Sequence, residues 1–434
     1  MNKKMIALVM GTTLCLFAGG CAAVQSATKE RDMKHEPLDL QSMIDKLPDN
    51  GGLIDLPAGV FEVKSPARLD KPNVTISGVG NATKIVVRPS GGRVDFVEVL
   101  GRGDGFKIEN CAFEWHSGKN ASDMIVTRCA QIRVSDCQFV AISNEDRTEM
   151  GSFLHQKKRE QKGFNKGLWV TGCSFELERY MNGVHLEVMR EVYFAQNKVD
   201  ANMSGPVYGL WCQGVNYVQI TGNSFTSFSK RNTPMDSAGV FIDNPGHDLG
   251  HLEITGNHFH TFFGEGTCAI RMNMQIYGTI SGNVFGRVQG QGNAAIEMTN
   301  SSATNISGNE FENVYADSIR LGANCSRISI LANAFSDCYK TEVRIEPGKD
   351  VTRGISVLGN NFDATSKPHT IGVRVHGGKL DEIYVANNVM YGYVEKNPIL
   401  VDKDAPVNVS GNLIGKSLPA HDHTNSKVRY EDRE

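Results

Sequence analysis

The amino-acid sequence predicts an all-β protein, a single-chain right-handed parallel β-helix of about twelve coils with an N-terminal capping helix. A short motif recurs along most of the chain, usually every 24 to 28 residues. Its apolar residues lie two apart, as in a strand, and glycine, asparagine or another small or polar residue ends each run. Parallel strands are joined by right-handed connections almost without exception, which fixes the hand of the coil.

The motif reads apolar-x-apolar-x-x-(Cys/Asn)-x-apolar, and its sixth position forms a ladder through the chain. A single coil of such short strands cannot bury its inner face, whereas stacked coils cover one another. Asparagine suits the ladder because it tolerates left-handed backbone and its amide can bond to the same amide of the next coil. The ladder residues are Cys111, Cys137, Cys173, Asn197, Asn223, Asn257, Asn283, Asn309, Asn333, Asn360, Asn388 and Asn412.

A row of phenylalanines follows the ladder by two residues and predicts a stacked aromatic core. Near the N-terminus, four apolar residues are spaced as on one face of a helix, which would plug the open first coil. The helix residues are Leu40, Met43, Ile44 and Leu47. The phenylalanines are Phe113, Phe139, Phe175, Phe225, Phe259, Phe285, Phe311, Phe335 and Phe362.

These features together resemble the pectin-lyase-like β-helix superfamily over residues 37–415. The resemblance rests on the capping helix, the Gly-Gly strand with Leu-Pro-Ala-Gly in residues 51–63, and the Ile-x-x-Asn-x-Phe coils that follow. It implies the fold but leaves the chemistry open, because that superfamily includes lyases, hydrolases, epimerases and non-catalytic phage or adhesin parts.

Residues 1–20 have the pattern of an export signal, with a basic start, an apolar run and the small residues Ala18-Gly19-Gly20 before Cys21. This resembles the lipobox of bacterial lipoproteins, although Ala18 stands where those proteins more often have leucine. The resemblance implies lipidation of Cys21, a linker over residues 21–36 and a cell-envelope location, with the outer membrane favoured because residue 22 is alanine rather than aspartate. An ordinary cleaved signal is the alternative. Residues 416–434 are expected to form a polar tail.

Charge and cysteine content narrow the function classes further. The net charge is −3 with scattered Lys and Arg, which argues against nucleic-acid binding. Of ten cysteines, Cys15 leaves with the signal and three others occupy the ladder, where a buried thiol acts as a small apolar group. Their spacing matches no zinc site.

A second strand precedes each ladder motif, and its outward residues predict a binding surface. Aromatic side chains can stack on sugars and arginines can grip carboxylates, so this surface suits an acidic polysaccharide. The alternative is a solvated sheet face with Arg and Glu as cross-strand pairs. The first outward row is His185, Trp211, Phe241, Arg271, Glu297, Arg320, Arg344 and Arg374. The companion row is Glu187, Gln213, Asp243, Asn273, Thr299, Gly322, Glu346 and His376.

Two coils are about ten residues longer than the others. The extra length is assigned to insertions at residues 143–167 and 229–251. Because insertions in solenoids collect on one face, they are expected to form walls beside the outward rows. Tolerated surface loops are the alternative.

Lyases and epimerases of uronic acids need a group that neutralises the sugar carboxylate, a base for the C5 proton and an acid. Here Arg271 with Asn273 would neutralise the carboxylate and His185 would be the base. Either Tyr208 or His247 would be the acid. Trp211, Phe241, Asn273, Glu297 and Arg320 are the candidate substrate-binding residues.

Two further possibilities stay open. A hydrolase would need two carboxylates, for which Asp243 with Glu187 or Asp248 is available. No metal site is assigned, although a calcium ion would need converging oxygen ligands, for which Asp243, Asn273, Glu187 and Glu297 are candidates.

The sequence therefore predicts a cell-envelope protein that acts on a uronic-acid-containing polysaccharide, as a lyase or C5-epimerase. A glycoside hydrolase and a non-catalytic glycan-binding or structural β-helix are the alternatives. An enzyme is expected to bring certain side chains together in a groove, whereas a non-catalytic β-helix would leave them dispersed. These side chains are His185, Glu187, Trp211, Asp243 and Arg271.

Overall fold

The chain winds into a parallel β-solenoid of about 13 turns, which confirms the predicted fold class. This computed structural model describes residues 35–116, 118, 122–142, 147–158, 165–202, 205–229, 237–244, 250–290, 294–365, 370–393, 397–415 and 429–431. Residues 36–434 form one structural unit. Within the described residues, no helix is long and apolar enough to cross a membrane.

Each full turn contributes one strand to each of three parallel stacks. Stack 1 precedes the ladder and contains Gly52–Asp55, Val74–Val87, Lys107–His116, Ile132–Ser135, Asn165–Thr171, Met189–Ala195, Asn216–Thr221, Leu252–Thr255, Ile276–Ser281, Ser302–Ser307, Ser326–Leu331, Thr352–Leu358, Leu380–Ala386 and Val407–Ser410. Stack 2 follows the ladder and contains Glu36–Leu38, Gly59–Val63, Gln138–Ile142, Ser174–Leu177, Lys198–Asn202, Ser224–Ser229, His258–Phe263, Val284–Gln289, Glu310–Glu312, Ala334–Ser336, Asn361–Asp363, Val389–Tyr391 and Leu413–Gly415. Two long strands, Val74–Val87 and Lys107–His116, run through both of these stacks.

Stack 3 is a separate sheet of 14 strands and carries the predicted outward rows. It contains Ala67–Leu69, Val94–Val99, Asp123–Thr127, Gly151–Gln156, Met181–Glu187, Val207–Gln213, Ser237–Asp243, Thr267–Asn273, Ala294–Thr299, Asp317–Leu321, Thr341–Ile345, Ile371–Val375, Ile399–Asp402 and Arg429–Glu431. The last of these lies in the segment expected to be a polar tail and pairs with Ile399–Asp402. Pairing at this end covers an edge that would otherwise expose unpaired backbone groups.

The phenylalanine row forms the core as predicted. Neighbouring rings in the row stack with centroids 4.7 to 5.1 Å apart. The row is interrupted where Val199 replaces phenylalanine, and there Phe194 of stack 1 lies 6.2 Å from Phe175 and 6.1 Å from Phe225. A larger residue from the neighbouring stack thus fills the space that valine leaves, which keeps the packing dense.

The asparagine ladder is also present, but its asparagines do not have the left-handed backbone that was expected for them. Each side-chain amide donates to the amide oxygen of the next asparagine over 2.9 to 3.1 Å. The same oxygen accepts the backbone N–H of the preceding asparagine. The left-handed residue, however, is the one before the ladder, such as Gly222 with φ 64°. Asparagine is therefore required for its hydrogen bonds and not for its backbone conformation.

We expect Asn283→Ala to lower the free energy of unfolding by on the order of 3 kcal/mol, because two buried donors of Asn257 lose their acceptor. Denaturant unfolding followed by circular dichroism measures the change. Asn408→Ala removes an exposed asparagine of stack 1 and is the matched control, with an expected change of less than about 0.5 kcal/mol. Equal losses in the two variants would show that the ladder bonds contribute nothing specific.

The predicted capping helix spans Leu40–Asp45. Asp39 caps it by accepting the backbone N–H of Ser42 over 3.0 Å. Leu40 and Ile44 are buried in the core, and Met43 and Leu47 pack partly buried against it. The helix thus covers apolar surface at the N-terminal end of the solenoid, as its spacing predicted.

Eight cysteines are buried free thiols, including Cys111, Cys137 and Cys173 of the ladder. Burial raises the pKa of the Cys111 thiol to about 12. The Cys111 thiol is therefore protonated at neutral pH, and the buried cysteines act as small core residues, as the sequence indicated.

A buried acid lies inside the C-terminal part of the core. Glu342 is 0% exposed and accepts a hydrogen bond from the hydroxyl of Tyr393. Burial raises the pKa of Glu342 well above its usual range. This carboxyl stays protonated in the folded protein, while the unfolded chain releases the proton near pH 4.5.

Wild-type stability should therefore fall as the pH rises above about 4.5, by up to about 1.4 kcal/mol per pH unit, until Glu342 ionises in the folded state. Glu342→Gln removes this titration and should flatten that part of the curve. Unfolding midpoints in guanidinium chloride between pH 5 and 9 measure the difference. Parallel curves for the two proteins would contradict a raised pKa.

Candidate functional site

The outward rows lie where the sequence predicted them, on stack 3. Pairing aligns His185 with Trp211, Trp211 with Phe241, and Phe241 with Arg271. The row continues through Glu297 to Arg320. In the companion row, Glu187, Gln213, Asp243 and Asn273 occupy successive turns. Residues far apart in sequence thus form one continuous surface.

The row also extends toward the N-terminus through a residue that sequence analysis missed. His155 pairs with His185 in the next turn, and their rings stack with centroids 4.2 Å apart. His155 Nδ1 lies 2.8 Å from Asp123 Oδ2, and Nε2 lies 3.0 Å from Glu187 Oε1. We call Asp123, His155, His185 and Glu187 the histidine cluster.

The environment drives the two histidines toward opposite protonation states. Burial opposes the charged form of His155, but its hydrogen bonds to Asp123 and Glu187 outweigh burial and raise its pKa. Burial and the neighbouring His155 charge lower the pKa of His185 to about 4. The raised pKa favours the protonated form of His155, which can donate a proton, whereas His185 is uncharged at neutral pH.

Hydrogen bonds to His155 and its charge stabilise the ionised forms of the two carboxylates in the cluster. The hydrogen bond from His155 lowers the pKa of Glu187 to about 2. Burial would raise the pKa of Asp123, but His155 and Lys157 outweigh it and lower that pKa. The backbone N–H of Lys158 also donates to Glu187 Oε2 over 3.2 Å. The loop after residue 156 thus helps to orient the cluster.

The neutral form of His185 has a defined tautomer in this arrangement. His185 Nε2 lies 3.0 Å from Gln213 Oε1, which can only accept. Nε2 therefore carries the proton, and the lone pair is at Nδ1. The residue retains 8% exposure.

The aromatic part of the row is stacked along the solenoid axis. The Trp211 ring lies between His185, with centroids 4.3 Å apart, and Phe241, with centroids 5.9 Å apart. Tyr208 packs against both Trp211 and Phe241. Since neighbouring rings lie on both sides of Trp211, a sugar on the outer face meets ring edges instead of an open ring face. This differs from the sugar stacking expected for Trp211 and Phe241.

From three turns beyond His185 onward, the arginines of the row are paired with acidic side chains. Arg271 Nε donates to Glu297 Oε2 over 3.0 Å, and Arg320 Nη2 lies 2.7 Å from Asp317 Oδ2. Arg320 Nη1 is also 3.8 Å from Glu297. This part of the row has the alternating ion pairs that an ordinary sheet face would show.

The structure therefore brings together only some of the predicted site residues. His185, Glu187 and Trp211 are neighbours, whereas Arg271 is three turns from His185, about 14 Å at the usual strand spacing. That distance exceeds the size of one sugar unit. This separation does not favour Arg271 as the group that neutralises the carboxylate of the sugar whose C5 proton His185 would take.

Asp243 and Asn273 bind each other. Asn273 Nδ2 donates to Asp243 Oδ1 over 2.9 Å, and Asn273 Oδ1 accepts from Asn300 over 3.0 Å. Glu187 bonds to His155, and Glu297 bonds to Arg271. The four side chains considered as calcium ligands are therefore engaged in three separate sets of hydrogen bonds. This arrangement does not fit a calcium ion.

A transition metal fits the described cluster no better. One ligand atom each from His155, His185 and Glu187 lies within 4.8 Å of the others. However, the two imidazole rings are stacked with an interplanar angle of 25°, so their lone pairs lie in nearly parallel planes and do not converge on one point. His155 also already bonds a carboxylate at each nitrogen.

His155 was missed because its strand was assigned to an insertion. Gly151–Gln156 is a stack 3 strand and lies within residues 143–167. The signal was the outward histidine after Phe-Leu in Gly-Ser-Phe-Leu-His-Gln, but it lies 18 residues before its ladder residue, whereas His185 lies 12 residues before Asn197. The remaining parts of the two expected walls are only partly described. His247 and Asp248 lie outside the described residues.

Comparisons with known proteins support the β-helix fold. The model of the family described as "Right handed beta helix region" matches residues 208–414. The A-module of the mannuronan C-5 epimerase AlgE6 from Azotobacter vinelandii superposes with a TM-score of 0.52 at 13% identity, covering 87% of this chain and 94% of that one. The periplasmic alginate epimerase AlgG has a TM-score of 0.47 at 12% identity, covering 87% of this chain and 83% of that one. A PL6 alginate lyase has a TM-score of 0.47 at 10% identity, covering 88% and 83%.

No curated protein matches the sequence. At these identities the likeness to solved structures concerns the fold alone. The family match and the shared architecture agree with the strand register described above. The chain therefore has the right-handed parallel β-helix fold.

Proposed function

We propose that the protein acts on a uronic-acid-containing polysaccharide, as a lyase or C5-epimerase, at the histidine cluster. The observation that carries the proposal is the stacking of His155 and His185 at 4.2 Å, with the pKa of one raised and that of the other lowered. A pair of titratable groups that the protein holds in opposite protonation states is typical of acid and base partners.

In the proposed reaction, His185 Nδ1 removes the C5 proton of a uronate. In a lyase, the C5–H electrons form the C4–C5 double bond, the C4–O4 bond breaks, and O4 takes the proton of His155 Nε2. In an epimerase, the C4–O4 bond stays intact and C5 receives a proton on the opposite face from solvent water, because both histidines lie on the same side of the sugar. A sugar oxygen that displaces Glu187 from Nε2 would accept the His155 proton.

Lys157 is the group we assign to the sugar carboxylate. Its ammonium lies 3.3 Å from Asp123 Oδ2 beside the cluster. A cation at this place lowers the pKa of the C5 proton by stabilising the negative charge that develops on the carboxylate. Arg271 and Arg320, several turns away, would contact other sugars of the same chain.

The choice of polymer rests on chemistry and on the shared fold. The module with the same fold from Azotobacter vinelandii is named a mannuronan C-5 epimerase, which favours a uronate polymer here. Trp211 and Phe241 would contact the polymer through ring edges. Asn273 and Glu297 would do so through polar atoms beside their own hydrogen bonds.

A screen against alginate, pectin and glycosaminoglycans tests the proposal. A lyase produces unsaturated ends that absorb ultraviolet light, and an epimerase exchanges the C5 proton with deuterated water. Neither signal with any uronate polymer would overturn the proposal. Binding without turnover would instead favour the glycan-binding alternative.

A hydrolase is the second candidate, because Glu187 and Asp243 lie two turns apart on the same row. The strand spacing places their backbones about 9.5 Å apart, near the upper end of the separation in inverting glycosidases. A hydrolase would release reducing ends without unsaturated product. The same screen therefore separates the two reactions.

We also propose that the protein is anchored in the cell envelope, with the outer membrane favoured, through a lipid on Cys21, a residue outside the described part of the chain. The support is the lipobox-like sequence before Cys21. Metabolic labelling with a radioactive fatty acid should mark the wild type and not Cys21→Ser. Equal labelling would contradict the anchor.

A further inference from the structure

A crevice opens on the outer face of stack 3, on the N-terminal side of the histidine cluster. Its volume is about 570 Å³, within the range of small-molecule sites. It lies between the capping helix, the start of the first stack 3 strand, the turn at residues 90–94, and Arg128 with Lys157.

The crevice is strongly basic. Among the described residues, Arg68, Arg93, Arg128 and Lys157 line it, with Glu98 as the acidic lining residue. Glu98 takes a hydrogen bond from Arg128 and lies 3.6 Å from Arg68, and Asp123 lies 3.3 Å from Lys157. Two carboxylates thus face four cations, so these residues keep excess positive charge for an anionic ligand.

The crevice continues the row that contains the histidine cluster. Pairing aligns Arg68 with Glu98, Glu98 with Val126, and Val126 with His155. Lys157 belongs to both places, because it lines the crevice and contacts Asp123 of the cluster. A chain lying along the row would therefore pass from His185 over Lys157 into the crevice.

The C-terminal side of the cluster offers less free charge. Arg271 and Arg320 share Glu297, and Arg344 lies 3.2 Å from Asp317 and 3.4 Å from Glu346. Fixed carboxylates there already satisfy the guanidinium groups. Among the described residues, the N-terminal crevice thus has more cationic side chains for each carboxylate than the C-terminal part of the row.

We propose that the crevice is a subsite for acidic sugars, which binds the carboxylates of one or two uronate units next to the unit held at His185. The inference rests on the proposed function for the choice of ligand. The inference also gives the direction of the bound polysaccharide, whose acidic units would lie from the histidine cluster toward the capping helix.

The test is calorimetric binding of uronate oligomers of two to six sugars to full-length protein with His185→Gln, which prevents turnover. The comparison adds Arg68→Gln and Arg93→Gln to this background, since both arginines are exposed and their loss should leave the fold intact. We expect the double change to weaken hexamer binding by about tenfold or more, to leave dimer binding nearly unchanged and to reduce the salt dependence.

Arg327→Gln with Arg353→Gln, two exposed arginines of stack 1, is the matched control and should bind like the background. Unchanged hexamer affinity in the Arg68 and Arg93 variant would overturn the subsite even if the wild type turns over polymer. Loss of affinity in a protein whose wild type has no activity would support the subsite while the catalytic proposal fails. Tighter binding of neutral or sulfated oligosaccharides than of uronates would overturn the assignment of its ligand.

Discussion

His185→Gln is expected to reduce turnover of a uronate polymer by about a hundred- to ten-thousandfold, the usual contribution of a positioned general base. Glutamine has no basic nitrogen, so it cannot take the C5 proton. It is close to histidine in size and can still bond to Gln213, so the stack between His155 and Trp211 should remain packed. Initial rates from ultraviolet absorbance or C5 proton exchange measure the loss.

The pH profile separates a chemical role for His185 from a structural one. In the wild type, kcat/KM should rise as the pH increases through about 4, where His185 loses its proton, and fall above the raised pKa of His155. The His185 variant should keep its thermal stability but lose the acidic limb of the profile. His258→Gln, an exposed histidine of stack 2, should behave as the wild type. A His185 variant with more than about one tenth of wild-type activity would contradict the assignment of the base.

Register along the rows could be predicted because the ladder supplies a fixed reference in nearly every turn. Counting back from Asn197 and Asn223 places His185 beside Trp211, and the structure has this pairing. His155 precedes its ladder residue, Cys173, by 18 residues instead of 12, and it was assigned to an insertion. The register was therefore hidden where extra residues separate a stack 3 strand from its ladder residue.

Side-chain partners were less predictable than positions. The sequence placed Arg271 and Glu297 on adjacent turns, but whether Arg271 faces a ligand or its neighbour depends on geometry, and it bonds to Glu297. The pKa difference between two adjacent histidines depends likewise on their unequal partners, with two carboxylates for His155 and an amide for His185. Such partners come from different turns and leave no local pattern in sequence.

Asp123→Asn is the second change with a large expected effect, because it removes a charge that holds the proton on His155. Asparagine can keep the bond from the backbone N–H of Ser152 to Oδ1, so the strand should stay in place. Without the carboxylate, burial should dominate and lower the pKa of His155. We expect activity near pH 8 to fall by about ten- to a hundredfold, with the alkaline limb of the profile shifted to lower pH.

Stability gives an independent measurement of the same interaction. In the wild type, the raised pKa of His155 stabilises the fold below its unfolded pKa of 6.5, and this contribution is lost as the pH rises through the folded pKa. The stability difference between the wild type and Asp123→Asn should therefore be largest near pH 5 to 6 and smaller at pH 9. Asp55→Asn, an exposed aspartate of stack 1, should show neither effect. A constant stability difference, together with an unshifted nuclear magnetic resonance titration of His155, would show that Asp123 does not set the protonation state of the acid, and the roles of the two histidines would have to be reassigned.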